Sequence, residues 1–307
     1  MHIWSFRNHI YHVFLSLSLS LSTLSFDKLT ANLRHCSNVG SLLNGREIHA
    51  HIQKCGHFHD TFLGNCLIHM YGSCESLEEA NYVFQKMHHP NVFTWNIMIK
   101  VYVQDGNLDG AYVLFEKMPQ KDGVSWNTMM TGFIDQGMYL SAIRLFEKMV
   151  KDGVNPDKAT FLCAIKAYGN QSSTLDAKVF CELLAQSQFT SNNAIGNALI
   201  DMYAKCGDLE KACGVFKSLG SRDIISWSTM ISGYVRNGHG VAALELFEKM
   251  QEEEGIRPDK ISILYVLKAC SIIRACGLCR LVHDQLIRNG LVFDLMVGNT
   301  LIDTYSK

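Results

Sequence analysis

Asn65, Asn96, Asn127 and Asn197, with Ser228 in the same register, are the side chains whose type and spacing best suit chemistry. Each sits at the fifth place of a recurring segment. The chemistry they suit is recognition: an amide carries donors and an acceptor together, which matches the mixed edge of a pyrimidine. The competing role for Asn and Ser is capping of helix N-termini. Cys276 and Cys279 form a C-x-x-C, preceded by Cys270 and followed by His283. Zinc accepts such ligands, but the stretch falls in an expected helix pair, so these are read as thiols and no metal is assigned. His49 and His51 are two apart on a helix and diverge. There is no G-x-S-x-G, no Walker loop and no dinucleotide glycine pattern. No H-x-E of the zinc deaminase signature occurs either. The expectation is therefore no catalytic residues, no cofactor and no enzyme activity in this chain.

The elements that position these side chains come from internal repetition. Align segments starting at Thr61, Val92, Gly123, Asn193 and Ile224. Their eleventh residues are Tyr71, Tyr102, Phe133, Tyr203 and Tyr234. Their twentieth are all alanine (Ala80, Ala111, Ala142, Ala212, Ala243) and their twenty-fourth all phenylalanine (Phe84, Phe115, Phe146, Phe216, Phe247). Their twenty-seventh are Met87, Met118, Met149, Leu219 and Met250. Spacings of four and three mark one face of a helix. Trp95, Ile99 and Tyr102 show the same rhythm earlier in the segment, as do Trp126, Met130 and Phe133. Each segment is thus two amphipathic helices. Gly106, Gly137, Gly207 and Gly238 fall between them, at a place that suits a helix C-terminus. Ser76 with Glu79 has the spacing of a capping box, and Asn107 and Asp208 that of simple caps. All four prolines (Pro90, Pro119, Pro156, Pro258) lie between segments, where they break no helix.

Looser segments start near Phe26, Lys158 and Lys260. The organisation expected is a leader over 1–25 and repeats over 26–60, 61–91, 92–122, 123–157, 158–192, 193–223, 224–259 and 260–294. A last repeat over 295–307 stops after one helix. A solenoid repeat buries its face only against neighbours, so the expectation from this ending is a truncated product or an incomplete gene model.

The 307 residues are 48% hydrophobic, enough for a large core. Lys and Arg number 28 against 29 Asp and Glu, a formal net charge of −1. No global positive field draws in a polyanion, and nucleic-acid recognition must rest on local groups. Eleven cysteines, an odd number scattered through apolar stretches, read as reduced thiols in an intracellular compartment. The leader has no acid before Asp27, one Arg (Arg7) and a Ser/Leu alternation from Phe14 to Ser25. That composition suits an organellar transit peptide, with a secretory signal and an uninformative, disordered leader as the alternatives. Its apolar run is too short to span a membrane.

With the repeats in view, the sequence resembles a known family. Ile224-Ile225-Ser226-Trp227-Ser228-Thr229-Met230-Ile231-Ser232-Gly233-Tyr234 resembles the first helix of a pentatricopeptide repeat. Leu244-Glu245-Leu246-Phe247-Glu248-Lys249-Met250 resembles its second helix, and Arg257-Pro258-Asp259 its exit loop. Gly196 to Gly207 resembles the short variant of plant members, and the mixture of lengths resembles the plant subgroup with alternating P, L and S repeats. The resemblance implies an all-α fold, a right-handed superhelical α-solenoid of helix-turn-helix repeats. It implies sequence-specific binding of single-stranded organellar RNA, one base per repeat. The site is then selected for editing or other processing by a partner, such as an editing deaminase. A mitochondrion is expected, with the chloroplast as alternative, and no membrane partner.

The resemblance places one reader at the fifth residue and another at the last. Carried over, it pairs Asn65 with Asn91, Asn96 with Asp122, Asn127 with Asp157, Asn197 with Asp223 and Ser228 with Asp259. Asn299 opens a pair whose partner is missing. By resemblance Asn with Asp favours uridine, Asn with Asn cytidine or uridine, and Ser with Asp guanosine. An Asp there adds an acceptor able to orient the Asn or a water; it could equally cap the next helix. The fifth residue is one step off the apolar fourth, so it is expected to point away from the core. The ninth residues (His69, Lys100, Thr131, Asp201, Ser232) extend a polar row one turn on. Phe62, Phe93, Val124 and Ile225, at second places, are expected to wedge against base faces. Leu162 and Leu264 hold fifth places in looser repeats and cannot hydrogen-bond a base. Two alternatives stand beside this reading. One is a peptide-binding scaffold like the tetratricopeptide arrays, whose W-x-x-L-G-x-x-Y pattern is missing here. The other is the N-terminal fragment of an editing deaminase.

Overall fold

The computed structural model describes residues 25–57, 60–171, 178–187, 189, 192–252, 255–274, 276–288 and 294–306. The expected leader lies outside them, apart from Ser25. The described residues contain seventeen α-helices and no strand, in two compact units divided at Gln136 and Gly137. The first unit holds α1 (Phe26–Val39), α2 (Leu42–Lys54), α3 (Thr61–Ser73), α4 (Leu77–Lys86), α5 (Val92–Gln104), α6 (Leu108–Lys117) and α7 (Gly123–Asp135). The second begins with α8 (Tyr139–Lys151), α9 (Lys158–Asn170), α10 (Lys178–Gln186), α11 (Asn193–Lys205) and α12 (Leu209–Ser218). It ends with α13 (Ile224–Arg236), α14 (Gly240–Glu252), α15 (Lys260–Ile273), α16 (Cys276–Arg288) and α17 (Leu295–Ser306). None of the described helices is long and apolar enough to cross a membrane.

Both units are solenoids of helix hairpins. In the first, α1 packs on α3, α3 on α5 and α5 on α7, while α2, α4 and α6 back them. In the second, α9, α11, α13, α15 and α17 form the corresponding row. A first helix therefore has neighbours on three sides. α5 buries Met98, Ile99 and Val101 together with the polar Thr94 and Asn96. A second helix has fewer neighbours, and α4 buries only Ala80 and Val83. The alanines at the twentieth places are all buried. A methyl group there lets the helix backbones approach closely.

An aromatic seam joins successive hairpins. Phe84 meets Trp95 edge-on at 4.9 Å, and Phe115 meets Trp126 at 4.8 Å. In the second unit Phe216 and Trp227 repeat the contact at 5.0 Å. Such pairs add about 0.5–1.5 kcal/mol each beyond the area they bury.

The turns between paired helices follow one design. Gly106, Gly207 and Gly238 adopt φ of 81°, 80° and 80°. The following N–H reaches back to the tyrosine carbonyl, from Asn107 to Tyr102, Asp208 to Tyr203 and His239 to Tyr234, closing a Schellman-type turn. Asn107 and Asp208 then cap α6 and α12. Ser76 departs from expectation. It occupies the N-cap place of α4 without a side-chain cap bond; its hydroxyl donates to the Glu79 carboxylate. In that same turn Glu75 holds the left-handed conformation, with φ of 55°, where Gly106, Gly207 and Gly238 stand in theirs; Arg274 after α15 is the other described non-glycine residue in this region, with φ of 54°.

An L-residue in that conformation costs roughly 1–2 kcal/mol, and Glu75 is exposed. Glu75→Gly should therefore stabilise the chain by about 1 kcal/mol, part of the gain being offset by glycine's entropy. Urea denaturation of the two proteins checks this, and a lower midpoint for the variant would contradict the strain assigned to the turn.

Candidate nucleic-acid interface

The site is built from the junctions between hairpins. At each, the last residue before a first helix is extended and its side chain caps that helix. Asn91 Oδ1 accepts from the Thr94 N–H at 2.9 Å, and Asp122 Oδ1 from the Ser125 N–H at 2.9 Å. Asp157, Asp223 and Asp259 accept from Thr160, Ser226 and Ser262, each at 2.8 Å. Four of these caps are reciprocal, since the third residue's hydroxyl accepts from the cap's own N–H at Asn91, Asp122, Asp157 and Asp259. The hydroxyl residues Thr94, Ser125, Thr160, Ser226 and Ser262 are wholly buried. Sequence reasoning missed them, although the pattern Asp or Asn, two residues, then Ser or Thr is legible at all five junctions.

The same carboxylate reaches backwards. Asn96 Nδ2 donates to Asp122 Oδ1 at 3.0 Å and to Oδ2 at 3.2 Å. An ionised carboxylate only accepts, so the amide must show it the NH₂ end. Asn96 Oδ1 is thereby turned away, buried and without a partner. The arrangement recurs in the second unit, where Asn197 donates to Asp223 and Asn197 Oδ1 is likewise unpartnered. Asn65 Oδ1 and Ser228 Oγ complete a set of buried polar atoms at fifth places that lack a hydrogen bond. Native chains satisfy most such atoms, and the exceptions ask for a reason. The two readings of the last residue, cap and orienting acceptor, therefore hold together at Asp122 and Asp223.

One expectation is corrected. The fifth residues do not stand clear of the core: Asn65, Asn96 and Ser228 are 6%, 8% and 6% exposed. Asn127 and Asn197 are half-buried, and Asn299 on α17 is exposed. The cause is the stacking of first helices. A residue one step from the apolar fourth faces the start of the next hairpin rather than solvent. Nor do these Asn residues cap helices, since the last residues hold that place. Asn127 and Asp157 belong to different compact units.

The second residues are exposed, as Phe62, Phe93, Val124 and Ile225 all show. Between α1, α3 and α5, Phe62 and Phe93 border a cavity of about 210 Å³. Phe62 and Phe93 line it with Asn65, over an apolar floor of Leu33 and Ile97, and Arg34 and His69 complete it. Its form is that of a slot with aromatic walls and an amide, able to receive a flat heterocycle. Burial first, and Lys100 second, hold the His69 pKa below the usual imidazole value. Elsewhere His49 is buried and bonded to the Tyr71 hydroxyl at 2.8 Å. Among the described residues no group of three or more His, Cys, Asp or Glu side chains is placed to hold a metal ion.

Profiles of the PPR repeat family match residues 121–170 and 222–271, and PPR repeat profiles match residues 65–90, 86–119 and 197–224. In Arabidopsis thaliana, pentatricopeptide repeat-containing protein At1g08070, chloroplastic, is 44% identical over 97% of this chain and 40% of its own length. Pentatricopeptide repeat-containing protein At3g24000, mitochondrial, is 32% identical over 90% of this chain and 38% of its own. The chain spans less than half the length of the curated relatives it matches. The crystal structure of the pentatricopeptide repeat protein PPR10 from maize matches with a TM-score of 0.66 at 18% identity, over 94% of this chain and 45% of that one. The same protein in complex with an 18-nt psaJ RNA element matches with a TM-score of 0.56 at 17% identity, over 92% and 48%. At this identity the likeness speaks for the fold.

Asp223 gives the junction a pH signature. Burial works to raise its pKa, but the Ser226 N–H and hydroxyl, the Asn197 amide and the Ile225 N–H outweigh it, and the value is lowered. A depressed carboxyl contributes stability above its unfolded value, near pH 4, that is lost as pH falls through the folded value. Asp223→Ala should cost about 1 kcal/mol at neutral pH by loss of the cap. The gap from the unaltered chain should narrow in acid. Urea melts across a pH series check this, and a gap undiminished in acid would contradict it.

Proposed function

This chain belongs to the pentatricopeptide repeat family, and we propose that it binds single-stranded RNA in a sequence-specific manner through its row of fifth and last residues. The carrying observation is the pinned amide, seen at Asn96 with Asp122 and at Asn197 with Asp223. Each presents a carbonyl oxygen that only a donor can satisfy. Uracil has a ring N–H on its pairing edge, whereas the ring nitrogen of cytosine is an acceptor. These two places are therefore assigned to uridine, with the acceptor of the Asp held in the fold. Asn65 with Asn91 is assigned to a pyrimidine and Ser228 with Asp259 to guanosine. Phe62 and Phe93 flank the base at Asn65, and Val124 and Ile225 take the same role at their own repeats. Because the carbonyls are covered in the free chain, binding shifts the side chains that border them.

The complex of PPR10 with an RNA element supports RNA as the ligand of this fold. Relatives named chloroplastic and mitochondrial support an organelle, and we assign the mitochondrion with the chloroplast as alternative. The mixture of repeat lengths supports the subgroup with alternating P, L and S repeats. The side chains of the row bind and orient, so chemistry on the bound RNA is assigned to a partner such as an editing deaminase.

The test exchanges one reading pair within the first compact unit. Asn96→Thr with Asp122→Asn keeps a good N-cap, because Asn caps as well as Asp. Binding selection from a randomised RNA pool should shift one position from uridine to adenosine, by roughly ten-fold or more. An unchanged preference at every position would remove the base-reading role from this pair.

A further inference from the structure

The ninth places of the first three first helices carry Arg34 on α1, His69 on α3 and Lys100 on α5. They lie one helical turn beyond the fifth residues and so run beside the reading row. Arg34 and His69 line the slot that holds Asn65, Phe62 and Phe93. Arg34 is close enough to Cys66 to pull that thiol's pKa down against the larger effect of burial. Lys100 is close enough to His69 to help depress its pKa. His69 Nδ1 lies 3.1 Å from the Ser37 hydroxyl oxygen. Arg34 and Lys100 are exposed, and neither has an acidic partner among the described residues.

In the second compact unit the same place is mixed, with Lys166, Asp201, Ser232, Lys268 and Asp303. Asp201 is bound by Lys205 at 2.7 Å and Arg236 at 3.4 Å, so two cations near the row are already neutralised. The chain has no net positive charge to attract a polyanion, which makes local unpaired cations decisive.

We propose that Arg34 and Lys100, on either side of His69, form a track for the phosphodiester backbone along the first compact unit, holding the strand without reading its bases. The base slot and the track lie side by side, so a nucleotide whose ring enters between Phe62 and Phe93 presents its phosphates to these cations. Arg34 and Lys100 then carry a salt-dependent part of binding. This inference rests on RNA as the ligand, but it does not require the base-reading assignments.

The test uses the full chain and two short probes of equal length, a uridine-rich RNA and an abasic deoxyribose-phosphate oligomer, with affinity followed by anisotropy across a salt series. The unaltered chain should bind both. Arg34→Gln with Lys100→Gln should reduce the slope of log affinity against log salt by about 1.4 on both probes, two phosphates at about 0.7 each for a single strand. Lys151→Gln with Lys217→Gln makes the same charge change in the second unit and should leave the slope as it was. An unchanged slope in the first variant, an equal loss in the second, or no binding of the abasic probe by the unaltered chain would each overturn the track. Slope loss together with equal affinity for every base-substituted RNA would support the track and remove base reading instead.

Discussion

Asp122 accepts from the Ser125 N–H ahead of it and from the Asn96 amide behind it, and much of the structure follows from that double claim on one carboxylate. Ahead, it satisfies an orphan donor at the start of α7 and places negative charge at the positive end of a helix dipole. Behind, it fixes which end of the Asn96 amide is left unpaired. The bonds that begin a helix are therefore the bonds that aim a recognition group. Asp223 repeats the arrangement between α11 and α13. A chain built this way cannot start its helices correctly and leave those amides free to rotate.

The arrangement has a cost. A buried acceptor without a partner destabilises the chain by about 1–3 kcal/mol. Asn65, Asn96, Asn197 and Ser228 each carry one such atom. Their hairpins tolerate it because the seams around them are well packed, with Phe115 against Trp126 and Phe216 against Trp227. Trp126 and Trp227 also bury an indole N–H without a partner, but within that seam, beyond the row. A ligand that donates to the row would recover the lost hydrogen bonds. In this sense the free chain is poised by its own unsatisfied groups.

Much of this was legible beforehand. Alanine, phenylalanine and methionine at spacings of four and three locate the second helices, because a helix face repeats locally whatever lies beyond it. Gly106, Gly207 and Gly238 mark turns because few other residues accept φ near +80°. Other features were not legible. Glu75 occupies the left-handed place of a turn with nothing in its type to announce it. Ser76 has the spacing of a capping residue, yet its hydroxyl bonds the Glu79 carboxylate and makes no cap bond to the helix.

What the sequence by itself determined is the periodic part: paired helices, their turns, the recurring polar side chain one step off the apolar stripe, and an acid or amide before each first helix. What only the tertiary structure decided is the state of those side chains. Asn96 and Asp122 are 26 residues apart, and they meet because one hairpin stacks on the next. That stacking covers the amide, claims its NH₂ and leaves its oxygen unpaired. Local spacing sets which atoms are offered, but only packing between hairpins sets which of them find partners.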